Sequence, residues 1–132
     1  MSSTAFEVAK FLAANGVGTF AGASGWSLNV AREPLNPPTA VTVYDTGGES
    51  PDTDEQDLLT HTFQIRVRAP SYPNAYAKHE EMRALLILPD SIVMEGTRYV
   101  GVWMTSDILA IGRDEGERHL LTANYRAIKE RT

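Results

Sequence analysis

Few residues in this chain have the means to do chemistry, and their spacing argues against most of it. Gly22-Ala23-Ser24-Gly25-Trp26 comes nearest to a nucleophile elbow, but Trp26 stands where that motif needs glycine and no sheet strand leads into it. His61, His79 and His119 lie far apart, and none has a partner three or four residues on, so a zinc site would have to be assembled by tertiary structure alone. Asp52, Asp54, Glu55 and Asp57 have the composition of a calcium loop. Asp57 and Phe63, however, occupy the places of its glycine and its bidentate glutamate, so the acids read as a solvated loop. The glycines at 16, 18 and 22 follow a helical pattern, and no lysine comes after them to reach a phosphate. The expectation is a protein with no catalytic residue, no metal and no cofactor.

What remains are residues suited to surfaces. Arg66 and Arg68 share one side of an alternating strand, which leaves two readings open: an exposed sheet face, or an interface that pairs with acids elsewhere. Trp26 and Trp103 read as core or partly buried, and Trp26 is also a candidate anchor in a subunit contact.

The elements that must position these residues follow from periodicity. Thr4 and Glu7 read as a capping box. Ala5, Val8, Ala9 and Leu12 then recur at helical spacing up to Asn15-Gly16, so a first helix is expected over about 4–15. Trp26, Leu28 and Val30 alternate as a short strand, and Pro34, Pro37 and Pro38 enforce an extended link. Val41-Thr42-Val43-Tyr44 is a strand expected to stop at Gly47-Gly48, followed by an acidic mobile loop over residues 45–58. Phe63, Ile65, Val67 and Ala69 mark the core side of the next strand. Ala75, His79, Met82 and Leu86 form the stripe of a second helix. Three strands, near 99–104, 108–113 and 118–129, complete the pattern and are expected to pair as a meander, with Leu121, Ala123, Tyr125 and Ala127 on one face. The whole predicts a single α+β domain over residues 1–132. Its mixed or antiparallel sheet has about six strands, with two helices packed on one face.

Composition narrows the function further. The 132 residues are 42% hydrophobic and 22% charged and contain no cysteine, which excludes disulfides and thiolate chemistry. A formal charge of −5 argues against gripping phosphate backbones or an anionic membrane. No apolar run approaches a membrane span and the first residues lack a basic leader, so a cytosolic protein, or one assembled from the cytosol into something larger, is expected.

Four pieces in order carry a family resemblance: Phe11-Leu12-Ala13-Ala14-Asn15-Gly16-Val17-Gly18; Val43-Tyr44-Asp45-Thr46-Gly47-Gly48; Phe63-Gln64-Ile65-Arg66-Val67-Arg68 running into Tyr72 and Ala75-Tyr76-Ala77; and Gly112-Arg113-Asp114-Glu115. Together they resemble the minor capsid or tail terminator family of long-tailed bacteriophages. The chain departs from that family in lacking an asparagine between the glutamate and glycine of the late turn and in having Tyr125 or a neighbour where the last strand usually has phenylalanine. The resemblance implies a virion protein without enzymatic activity, assembled in the host cytoplasm. It implies a ring, six copies in the family, which caps the head-proximal end of the tail tube, ends tube polymerisation and offers a surface to the head-to-tail connector. DNA would pass through the lumen without specific binding. Arg66 and Arg68 on one side, with Asp52, Asp54, Glu55 and Asp57 on the other, would supply complementary charge to subunit contacts, and reversing both arginines is expected to leave the fold intact. Two alternatives stand beside this. One is another neck component, a head-closure or head-to-tail joining protein. The other is a small ligand-binding protein or enzyme with a pocket between the second helix and the sheet, using His79 and Tyr76.

Overall fold

The computed structural model describes residues 2–48, 58–87 and 90–131. In chain order the elements are α1 (Thr4–Ala14), β1 (Thr19–Phe20), β2 (Ser27–Val30), β3 (Ala40–Gly48), β4 (Leu58–Ala69), α2 (Tyr72–Ile87), β5 (Ile92–Met94), β6 (Thr97–Met104), β7 (Leu109–Arg113) and β8 (His119–Glu130). The α+β reading holds, with a mixed sheet of eight strands where about six were expected. β1 and β5 are the additional ones, too short to show a period in the sequence.

The sheet runs β1-β2-β3-β4-β8-β6-β5, with the first three strands parallel and the rest antiparallel. The expected meander does not form. β4 pairs with β8 along its whole length, so β6 and β7 share the other edge of β8 end to end, β7 against residues 119–122 and β6 against residues 125–129. β3 and β4 also reach further than expected. Gly47 and Gly48 bend β3 through a bulge at positive φ, yet keep pairing with Thr62 and His61. A Cβ on Gly48 would collide with the Thr60 carbonyl and the His61 backbone, so only glycine lets the strands close here. Residues 45–48 and Leu58, the expected ends of the acidic loop, therefore belong to strands. Asp52, Asp54, Glu55 and Asp57 lie outside the described residues.

Both helices cover one face. Ala5, Val8, Ala9 and Leu12 of α1 and Ala75, Met82 and Leu86 of α2 enter a single core with Phe63, Ile65, Val67, Leu121, Ala123 and Tyr125. The stripe expected for α2 is the buried stripe observed. Phe63 and Tyr125, cross-strand neighbours, stack with centroids 5.1 Å apart. The start of α1 differs from the capping box. Ser3 is the N-cap, its side chain accepting from the Phe6 amide, while Thr4 and Glu7 point into the fold and are buried. The residues linking β2 to β3 cross the sheet face opposite the helices, which is how a parallel pair is closed without a crossover helix.

Candidate functional site

The candidate chemistry stays dispersed. Ser24 is exposed on the turn before β2. His61 Nδ1 shares a 2.7 Å hydrogen bond with the Thr4 hydroxyl. Burial, and next the Lys129 charge, lower the His61 pKa from its ordinary value. His79 is fully buried with Nε2 2.9 Å from the Leu121 carbonyl, to which it donates, and its Nδ1 has no partner. The His119 ring meets the Tyr72 ring at 5.9 Å in a T-shaped arrangement. Among the described residues no group of three or more potential ligands could hold a metal ion. The expected pocket between α2 and the sheet is not formed by His79 and Tyr76, because His79 is sealed in the core while Tyr76 is 39% exposed.

The two arginines of β4 part company. Arg66 keeps 31% of its side chain exposed, lies 3.6 Å from Glu33 and covers the Tyr44 ring. Arg68 is not on an open face. Its side chain is 3% exposed, and its guanidinium donates to the carbonyls of Pro34 and Pro37, with longer bonds to those of Leu35 and Pro38. The proline-rich link folds over the outer face of the sheet and gives Arg68 its acceptors, which is why strand alternation alone misplaced it. Arg118 extends the brace by donating to Leu35 O at 2.9 Å and to Asp114 at 2.8 Å. Burial pushes the Asp114 carboxyl up, but hydrogen bonds from the Arg118 backbone and guanidinium outweigh it and leave its pKa below the ordinary value. The link and the β7–β8 turn thus frame a cleft of about 940 Å³, lined among others by Arg32, Glu33, Leu35, Arg68 and Arg118. It is an open, charged recess between braced segments, without a nucleophile and base in contact.

Trp26 is partly buried against the core with Lys78 Nζ 4.7 Å above its ring. Gly18 is pressed so closely on Trp26 that a Cβ there would lie 2.6 Å from its carbonyl oxygen. Trp26 thus serves packing in the subunit.

Two features escaped sequence reasoning. One is a buried polar cluster, where Glu7 accepts from Thr97 (2.6 Å), Tyr99 (2.6 Å) and Lys129 (3.1 Å), with Lys129 fully buried. Burial, reinforced by the Glu7 hydrogen bond, drives the Tyr99 hydroxyl pKa far up, so it remains a donor. The signal was present: Lys129 continues the inward alternation of Leu121, Ala123, Tyr125 and Ala127. The other is β7, all five of whose residues are exposed, Leu109 by 60% and Ile111 by 44%. Such an edge strand presents backbone groups unpaired among the described residues, together with its exposed apolar side chains.

Comparison with known proteins addresses the whole chain rather than one cleft. The family described as bacteriophage tail terminator protein matches residues 11–131. No curated protein matches the chain. Among solved structures, a chain from the virion of a native gene transfer agent particle superposes with a TM-score of 0.60, at 20% identity over 78% of each chain. A second superposes with a TM-score of 0.52, at 14% identity over 80% of this chain and 79% of its own. At these identities the likeness is one of fold.

Proposed function

Since this chain belongs to the bacteriophage tail terminator family, a family of structural tail proteins rather than enzymes, we propose that it assembles in the host cytoplasm as a ring, of six copies as in the family. The ring seats on the head-proximal end of the tail tube. There it ends polymerisation of the tube protein and presents its far side to the head-to-tail connector. The family match over residues 11–131 is the observation that carries this reading.

The physical properties of the subunit are consistent with that role. A ring of identical subunits closes through two unlike surfaces, and this molecule has exposed apolar side chains in separate places. A net charge of −5 suits a lumen through which a duplex slides without specific binding. Arg66 and the acids Asp52, Asp54, Glu55 and Asp57 contribute opposite charges to subunit contacts in this reading. Arg68 and Trp26 contribute by holding the segments that carry the contact surface.

The test is polymerisation of the cognate tube protein with and without this chain, read as tube length by electron microscopy. Tubes that stop growing at one capped end support the reading, and an unchanged length distribution contradicts it.

A further inference from the structure

We draw no further inference here: the strongest candidate, the surface patch of exposed apolar side chains on β7 with Leu35, Tyr72 and Tyr76 around the start of β8, carries nothing because nothing in the structure shows what covers it.

Discussion

Glu7, one turn into the first helix, and Lys129, near the end of the last strand, meet at 3.1 Å inside the fold with 1% and 0% of their side chains exposed. Thr97 and Tyr99 also donate to the same carboxylate, so both charges are paired and hydrogen-bonded. The pair ties the two ends of the described chain across the sheet. Removing one partner strands the other in a medium of low polarity.

Lys129→Met and Glu7→Gln are each expected to destabilise the subunit by about 3–5 kcal/mol, while the double variant loses much less than the sum. Urea unfolding of the two singles and the double measures the coupling. Additivity to within about 0.5 kcal/mol would mean the pair does not act as a unit.

Arg68 and Arg66 are expected to separate sharply. Arg68→Ala removes the donors that hold the Pro34 and Pro37 carbonyls and should cost roughly 2–4 kcal/mol, whereas Arg66→Ala should stay within about 1 kcal/mol. Reversing both charges, which strand alternation suggests the fold would tolerate, should fail because of Arg68→Glu, while Arg66→Glu alone folds. Thermal unfolding of the set checks this, and equal losses at the two positions would contradict it.

Acid should destabilise the subunit through His79. Burial lowers its pKa from the ordinary 6.5, with the hydrogen bond to Leu121 opposing the shift. The unfolded chain therefore takes up a proton below about pH 6.5 that the folded chain refuses, and the stability present above that pH is lost as it falls. The slope is at most about 1.4 kcal/mol per pH unit for each such proton. His61 is shifted the same way and adds to it. His79→Gln should show a smaller loss between pH 7.5 and 5.5 than the parent protein. An identical pH profile would remove His79 from the account.

Much of this was legible in the sequence where one periodicity acts alone. The stripe Ala75, His79, Met82 and Leu86 predicts the buried face of α2, and the inward set of β4 and β8 is the core. Legibility ended where distant segments decide the environment. Arg68 alternates outward, but the proline link arrives to cover it. Glu7 has the spacing of a cap, yet it faces Lys129 across the sheet. β1 and β5 have two and three residues, too few to carry a period, and exist through their neighbours. The tertiary pairing of β6 and β7 along one edge of β8 has no local signature either. The arginines and acids of the candidate surface were visible as residue types, but the grouping of exposed apolar side chains around the start of β8 required the fold.

The central claim is that this chain is a tail structural protein positioned where the tail meets the head. Immunogold labelling of intact virions with an antibody against the chain tests it most directly. The account predicts label confined to the head-proximal end of the tail. Label spread along the tube, at the distal tip, or absent from virions that carry full-length tails would contradict it.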